Sequence, residues 1–489
     1  MLFNSFAFLV FFIIVTPVYF LLPHKYRWVW LLAASCYFYM AFVPVYIIVL
    51  GGTIIIDYFA GIWIAKSEGK RRKLFLVLSL ISNIGVLAFF KYFNFLNGNL
   101  EILLHGVGYQ NPVPYLSIIL PIGLSFHTFQ AMSYTIEVYR GNQQTEKHFG
   151  IYALYVMFYP QLVAGPIERP QNMLHQFHEK HQFDYNSLKS GIALMAWGLF
   201  KKMVIADRLG LFVNQVYDNP HQYQGISLII ATFFFAFQIY CDFSGYSDIA
   251  LGAARTMGFK LMLNFNYPFV STTIGEYWRR WHISLSTWFN DYIYTPLTVA
   301  KRDWGMYAVY YALLITFFIS GLWHGAAWTF VIWGTLHGIA IIFEIIFRKQ
   351  RKKLSKKIHA SIYLPLSRFI VFCFLCFTWI FFRANSVSDA FYVISHLFTN
   401  FGSQINEIVQ NKDARNSLVY LSQGQGVFIL SILLVVFLEI IQKILRKTNI
   451  ADWVYQRPKL VRYSIYYIMI FSILALGIYS KARFIYFQF

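Results

Sequence analysis

Charged side chains are scarce in this chain of 489 residues, because Asp, Glu, Lys and Arg together make up only 13% of it. Hydrophobic residues make up 58%, and the mean hydropathy is +0.51. A water-soluble protein of this length needs far more polar side chains to cover its surface. The composition therefore excludes a soluble enzyme and indicates a chain that is surrounded by lipid.

Cysteine is also scarce, and the four cysteines stand in apolar surroundings that exclude a disulfide framework. Cys373 and Cys376 form a C-x-x-C pattern, but both would lie on one face of a membrane helix. Helix packing is therefore favoured over metal binding or redox chemistry. The histidine-rich stretch at 175–183 is predicted to be solvated surface. Nothing in the sequence calls for a metal.

Apolar runs that can cross a membrane, each of about 20 residues, recur along the whole chain. The clearer ones lie near 5–22, 28–43, 45–64, 74–96, 151–165, 190–207, 226–241, 306–322, 327–347, 363–382, 426–442 and 464–480. Stretches near 116–136 and 261–296 are broken by Gly, Pro and charge, which predicts re-entrant or tilted segments. The first run has no basic leader or cleavage site, so we expect a retained span. Residues 1–489 are predicted to form one all-α, polytopic membrane domain.

The net charge of +20 is concentrated in three short loops, which the positive-inside rule places in the cytoplasm. The same rule places residues 384–424 and the C-terminal tail outside. Because topology explains the basic residues, they require no nucleic acid. A second role, in which they attract an anionic thioester donor, stays open.

One histidine, His324, stands in a setting that suits catalysis. It follows an apolar run in FFISGLWHGAAWTFVIWGTLHG, between Gly321 and Gly325, and the tryptophans near it are Trp323, Trp328 and Trp333. A neutral imidazole is tolerated at membrane depth and can still accept a proton, as a general base must. The alternative is an interfacial histidine bonded to a backbone carbonyl. His337, further along, is predicted to be a packing or supporting residue.

A second histidine, His282, lies in GEYWRRWHISLSTWFNDYIY, which is typical of an amphipathic helix. Aromatic residues recur at helical spacing, and the polar stripe beside them consists of Arg279, His282, Ser286 and Asn290. Such a helix either lines a polar cavity or lies flat at the membrane interface.

Two carboxylates, Asp242 and Asp248, interrupt an apolar run in QIYCDFSGYSDIALG. Carboxylates at membrane depth are candidates for function. A structural role is equally open, in which they cap helices or pair with Arg279 or Arg280.

These motifs follow one another in an order that resembles the membrane-bound O-acyltransferase family. The resemblance rests on QIYCDFSGYSDIALG, NFNYPF, EYWRRWHISLSTWFNDYIY and SGLWHGAAWTFVIWGTLHG, and it covers nearly the whole chain. It includes PIGLSFHTFQAMSYTIEVYRG, AGPIERP and WIFFRANS. The chain is most similar to the bacterial branch with the alginate O-acetylation and teichoic acid D-alanylation membrane proteins.

The resemblance implies a fold and a site. The fold is a ring of roughly a dozen helices, with re-entrant segments, around a central funnel or tunnel in the bacterial inner membrane. His324 matches the family's near-universal histidine and is expected to be the general base. His282 matches the second histidine, which would position the donor or stabilise the tetrahedral intermediate. Supporting or tunnel-lining residues are expected to be Asp242, Asp248, Arg279, Arg280, Trp281, Ser286, Trp323 and Gly325.

The resemblance also implies a reaction. An acyl group, acetyl by default, would pass from a cytoplasmic thioester across the membrane to a hydroxyl, for modification of an exported or cell-surface polysaccharide. The expected donor is acetyl-CoA, and a separate extracytoplasmic acetyltransferase would complete transfer to the glycan. One alternative is D-alanyl transfer to teichoic acid. A transporter of a polar or acylated molecule is disfavoured because the sequence has no internal repeat.

The C-terminal sequence FIYFQF, at 484–489, resembles the tail of the small accessory peptide of teichoic acid D-alanylation. In that peptide a tyrosine is the expected acceptor of the acyl group, so the resemblance implies that Tyr486 is an acyl carrier. The alternative is an aromatic anchor at the membrane interface.

Overall fold

The protein is described here by a computed structural model that covers residues 1–117, 120–445, 448, 450–479 and 485. Throughout these residues the regular secondary structure is helical, and none of them lies in a strand. They divide into two compact units. The first comprises Met1–Met195 and Tyr246–Leu263, and the second comprises Ala196–Gly245 and Asn264–Phe489. The all-α prediction is confirmed.

Helices of very different length build most of the first unit. They are α1 (Phe6–Leu21), α2 (His24–Met40), α3 (Tyr46–Lys66), α4 (Gly69–Leu87), α5 (Phe93–Gly106), α6 (Leu124–Arg140), α7 (Phe149–Met157), α8 (Tyr159–Leu162) and α9 (Pro170–His178). A buried polar contact joins α3 to α4: the Ser79 hydroxyl and the Asn83 amide donate to the Asp57 carboxylate at 2.6 and 2.8 Å. Polar groups that leave water are stable only when they are bonded in this way.

Two of the boundaries between the units in the sequence, after Met195 and after Gly245, fall inside helices. Helix α10 (Tyr185–Leu199) continues through a π-helical turn, Phe200–Ala206, into α11 (Asp207–Tyr217), and α12 (Ile226–Thr256) follows. The polar motif near 242 was expected to interrupt a span that ends near 241, but α12 runs through it. The Asp242 carboxylate is paired there, and Gly245 has backbone so close that a Cβ would lie 2.7 Å from the Gly198 carbonyl oxygen.

The remaining helices belong to the second unit. They are α13 (Ile274–Trp278), α14 (Ile283–Phe289), α15 (Thr295–Ala300), α16 (Met306–His324), α17 (Trp328–Ile346), α18 (Arg348–Lys357), α19 (Ala360–Arg383), α20 (Val387–His396), α21 (Phe401–Gln410), α22 (Lys412–Leu418), α23 (Gln425–Ile444), α24 (Ile450–Tyr455) and α25 (Lys459–Leu476). An aromatic and aliphatic core from α11, α12, α13, α17, α19 and α23 holds this unit together.

Among the described residues, eight helical segments are long and apolar enough to cross a membrane. They are Tyr46–Lys66, Gly69–Gly106, Ile226–Thr256, Met306–His324, Trp328–Ile346, Ala360–Arg383, Gln425–Ile444 and Lys459–Leu476. Helix α1 is also apolar but has only 16 residues. The chain is therefore a multi-pass membrane protein, as predicted.

One predicted span, near 151–165, is divided in the structure into α7 and α8. Pro160 has no N–H with which to continue the hydrogen bonding of α7, and it stands in the first turn of α8, where no such donor is needed. The result is two short helices in place of one long one.

Helices α16 and α17 form a tight hairpin because glycines lie where their backbones meet. A Cβ on Gly334 would lie 2.3 Å from the Phe317 carbonyl oxygen, and a Cβ on Gly321 would lie 2.3 Å from the Phe330 carbonyl oxygen. Any side chain at either position would push the helices apart. The hairpin fixes the end of α16, and His324 is its last residue.

Candidate active site

His324 is buried among aromatic rings at the C-terminal end of α16, with 3% of its surface exposed. Its ring centroid lies 4.9 Å from that of Trp333 and 5.0 Å from that of Trp323, both in edge-on geometry. Phe382 from α19 packs on it at 5.6 Å. These side chains keep the imidazole in a low-dielectric setting, as the sequence indicated. Trp328, which was expected to share in the enclosure, is 52% exposed.

Gly325 ends α16 and makes room for one wall of this enclosure. Its backbone is extended, and a Cβ there would lie 2.2 Å from the Phe330 ring. Phe330 in turn packs edge-on against Phe382, with 4.9 Å between the ring centroids. A side chain at position 325 would displace Phe330 and loosen the aromatic packing beside His324.

His282 lies in a sharp turn, and the prediction of one continuous amphipathic helix around it is wrong. Helix α13 ends at Trp278 and α14 begins at Ile283. His282 adopts the left-handed conformation (φ 43°, ψ 55°), which non-glycine residues adopt only under constraint. The turn directs the imidazole into the protein, where it is fully buried and meets Phe243 edge-on at 4.7 Å. The turn lies outside the eight spanning segments, and burial lowers the pKa of His282 to about 3, so the ring is neutral.

Asn264 holds this turn, a role that was not predicted although Asn264 begins the motif NFNYPF. Its carbonyl oxygen accepts from the Ile283 N–H at 2.9 Å, and its side-chain Oδ1 accepts from the Ser284 hydroxyl at 2.6 Å. The two donors, Ile283 and Ser284, directly follow His282 in the chain. Asn264 is buried and therefore serves as a positioning residue for the imidazole.

The structure brings His282 and His324 to the same indole ring. The Trp323 ring centroid lies 6.1 Å from that of His282 and 5.0 Å from that of His324. The two residues are 42 positions apart in sequence, and only tertiary packing places them on one side chain. Both imidazoles therefore pack against the side chain of Trp323.

A further aromatic layer supports the two histidines. The fully buried Trp379 packs against Trp281 at 5.3 Å and against Trp333 at 5.7 Å. His337 belongs to this layer, since Trp278 Nε1 donates to its Nδ1 at 3.2 Å and the Thr378 hydroxyl lies 3.2 Å from its Nε2. The sequence pointed to Trp281 but not to Trp379, whose only signal was its place in the motif WIFFRANS.

A cavity of about 580 Å³ is lined by residues of the two segments that carry the histidines, although neither His282 nor His324 is among its lining residues. Its walls include the polar side chains of Arg279, Ser286 and Ser320, together with Trp278. Ser320 lies one helical turn before His324 on α16, and Ser286 lies one turn after His282. Two predicted supporting residues, Arg279 and Ser286, therefore line a cavity that adjoins both histidine-bearing segments.

Other predicted supporting residues lie elsewhere. Arg280 is paired with Glu276 at 3.0 Å and donates to the Asn266 carbonyl at 3.1 Å, so it fixes the turn. Asp242 is paired with Lys202 at 2.7 Å, and the alternative in which it pairs with an arginine is wrong. Asp248 belongs to the first unit. Tyr486 lies outside the described residues.

Comparison with known proteins places the site in a family. The model of the membrane-bound O-acyltransferase family matches residues 143–387, which include both histidines. The chain belongs to the membrane-bound O-acyltransferase family. This acyltransferase therefore takes an acyl donor, and it is a multi-pass enzyme of the bacterial inner membrane.

Relatives of the acyltransferase carry three activity names. It is 31% identical to the peptidoglycan O-acetyltransferase of Helicobacter pylori, over 94% of this chain and 91% of that one. It is 34% identical to the probable alginate O-acetylase AlgI of Pseudomonas aeruginosa, over 83% and 77%. It is 28% identical to the teichoic acid D-alanyltransferase of Streptococcus thermophilus, over 48% and 59%.

Proposed function

We propose that this acyltransferase moves an acetyl group from cytoplasmic acetyl-CoA across the membrane for O-acetylation of a cell-envelope polysaccharide. The observation that carries the proposal is the packing of His282 and His324 on the ring of Trp323, in segments that also supply Ile283 and Ser320 to the cavity wall. Acyl transfer from a thioester needs a base, a group that stabilises the intermediate, and exclusion of water. This arrangement supplies candidates for all three.

His324 is the proposed general base. It would take the proton of the acceptor hydroxyl while the oxygen attacks the thioester carbonyl. Collapse of the tetrahedral intermediate would expel the thiolate, to which the imidazolium returns the proton. The negative end of the α16 dipole lies at His324 and favours the charged imidazolium, while the aromatic enclosure keeps competing water away.

His282 is the proposed partner of the base. Because its pKa is low, the ring is neutral and can donate an N–H to the carbonyl oxygen as negative charge develops there. Its left-handed turn, bonded to Asn264, supports a preorganised position. A donor group that need not reorganise during reaction stabilises the transition state most.

The cavity is the proposed donor site. Arg279 supplies a cation that suits the phosphates of coenzyme A, and Ser286 and Ser320 supply hydroxyl groups to the cavity walls. The acyl end of the donor would then extend past Ser286 and Ser320 to the two histidines, so that its carbonyl comes within hydrogen-bonding distance of His282.

Tyr486 is the proposed carrier of the acetyl group on the outer side. Its hydroxyl would accept the acetyl group as an ester and pass it to a separate extracytoplasmic acetyltransferase that acts on the glycan. The names of the relatives that match most of this chain, peptidoglycan O-acetyltransferase and alginate O-acetylase, support an acetyl group and an envelope glycan.

The test is transfer of labelled acetyl from acetyl-CoA by the purified protein, with the label located by peptide mass. We expect His324→Ala at normal membrane abundance to lose at least about 100-fold in rate, the usual contribution of a general base. His105→Ala, an exposed histidine, is the control. Normal transfer by His324→Ala would overturn the mechanism. If a D-alanyl thioester labels the protein and acetyl-CoA does not, the donor is a D-alanyl thioester and the proposed acetyl-CoA is wrong. If Tyr486→Phe acetylates the glycan normally, Tyr486 is not the acyl carrier.

A further inference from the structure

A buried ionic cluster lies in the second unit, away from the histidines in sequence. Lys202 Nζ lies 2.8 Å from Asp207 Oδ1 and 2.7 Å from Asp242 Oδ1. All three side chains are at most 8% exposed. Burying such charges is costly, and the cost is offset only when the remaining lone pairs also find partners.

The second oxygen of Asp242 binds the C-terminal segment. The backbone N–H of Ile485 donates to Asp242 Oδ2 at 2.8 Å, and Ile485 itself is only 3% exposed. Asp242 thus uses one oxygen for Lys202 and the other for a backbone donor 243 residues away. A hydrogen bond to a charged carboxylate is stronger than one between neutral groups.

The C-terminal segment is attached to the same region at two earlier points. The Ile478 N–H donates to the Met203 carbonyl at 3.0 Å, and the Arg208 guanidinium donates to the Leu476 carbonyl. Met203 belongs to the π-helical turn that also carries Lys202. Leu476, Ile478 and Ile485 are therefore all bonded to residues between 203 and 242.

We propose that Asp242, oriented by Lys202, is a positioning residue that holds the backbone of Ile485 in place. The proposal deepens the function proposed above and rests on it, because the residue directly after Ile485 in the sequence is Tyr486. A carrier side chain must return to one place to accept each acyl group, and an anchor on the preceding backbone N–H restricts where it can go.

Asp207 offers a matched comparison within the cluster. It binds the same lysine at nearly the same distance, but the hydrogen bond from Ile485 goes to Asp242 alone. A merely structural cluster predicts equal effects of losing either carboxylate. An anchor predicts that only the loss of Asp242 frees the tail.

Hydrogen exchange of the C-terminal peptide in the full-length purified protein measures the anchor directly. We expect Asp242→Ala to speed exchange of the Ile485 amide by at least about tenfold, and Asp207→Ala to leave it close to wild type. Equal exchange in wild type and Asp242→Ala overturns the proposal, as does equal acceleration by both substitutions.

A second pair of variants leaves the cluster intact, in case Asp242→Ala fails to fold. Ile485→Pro removes the donor N–H, and Ile485→Val keeps it with a small loss of packing. We expect the proline variant to lose at least about tenfold in glycan acetylation and the valine variant to keep it. Normal acetylation by Ile485→Pro overturns the proposed positioning role.

The anchor and the carrier can fail separately. If Tyr486→Phe acetylates normally, the carrier role is lost, while the exchange measurement still decides whether Asp242 holds the tail. If Tyr486→Phe is inactive but the Ile485 amide exchanges equally fast in all variants, the carrier stands and the anchor is wrong.

Discussion

The imidazole of His324 meets the indole of Trp333 edge-on, with 4.9 Å between the ring centroids. Trp333 is 1% exposed and comes from α17, the partner of α16 in the glycine-packed hairpin. The contact links the chemistry proposed for His324 to the packing of the hairpin, so we expect a change that separates α16 from α17 to expose the histidine to water.

Replacing Trp333 by Leu is expected to increase hydrolysis of acetyl-CoA at the expense of acetyl transfer. With the indole gone, water reaches the thioester, so hydrolysis of acetyl-CoA rises relative to transfer by about tenfold or more. The ratio of free acetate to acetylated acceptor measures this. Trp328→Leu is the matched control, because that tryptophan is 52% exposed. An unchanged ratio in Trp333→Leu would show that this ring does not exclude water.

Replacing Asn264 by Ala is expected to release the turn that carries His282. The buried Ser284 hydroxyl loses its hydrogen bond to Asn264, which costs about 1–3 kcal/mol of stability. Displacement of His282 by even 1 Å can cost about 100-fold in rate. Thermal unfolding and acetyl transfer measure the two effects.

Asn266→Ala is the control for that prediction. The Asn266 side chain is exposed, and its bonds to Arg280 use only the backbone, which alanine retains. If both variants lose activity equally, the loss does not come from the contact between Asn264 and Ser284.

Replacing Gly334 by Ala is expected to force α16 and α17 apart. The new Cβ would lie 2.3 Å from the Phe317 carbonyl oxygen, and overpacking of this kind costs about 1–3 kcal/mol. Membrane abundance and unfolding temperature should both fall. Gly426→Ala is the control, because a Cβ there meets nothing within 4 Å, and its membrane abundance and unfolding temperature should both stay at the wild-type level. A fully stable Gly334→Ala variant would mean that the hairpin adapts.

Replacing Arg279 by Gln is expected to weaken donor binding and spare the chemical step. Loss of a charged hydrogen bond to a phosphate raises KM for acetyl-CoA by about tenfold, with kcat little changed. Arg302→Gln is the control, since that side chain is 82% exposed and outside the cavity walls. A drop in kcat with KM unchanged would show that Arg279 contributes to the chemical step and not to donor binding.

Local sequence was sufficient to predict much of this protein. Apolar runs with few charges can lie only in lipid or in a core, so the all-α membrane class followed from composition and run length. The prediction that His324 is the general base came from its immediate neighbours and from the family resemblance, and it stays a prediction. The structure confirms that Gly321 allows close backbone contact and that α16 ends at Gly325. Both properties depend on residues within one turn of His324.

The conformation at His282, the pairing of Asp242 and the position of Trp379 depend on tertiary structure alone. The break at His282 depends on bonds to Asn264, and the pairing of Asp242 depends on Lys202, neither of which alters the local helical pattern. Trp379 lies on α19 and packs against Trp333, but the sequence of α19 resembles that of any other membrane helix. Periodicity reports which face of a helix is apolar, whereas the identity of the side chain opposite is set by how distant helices pack.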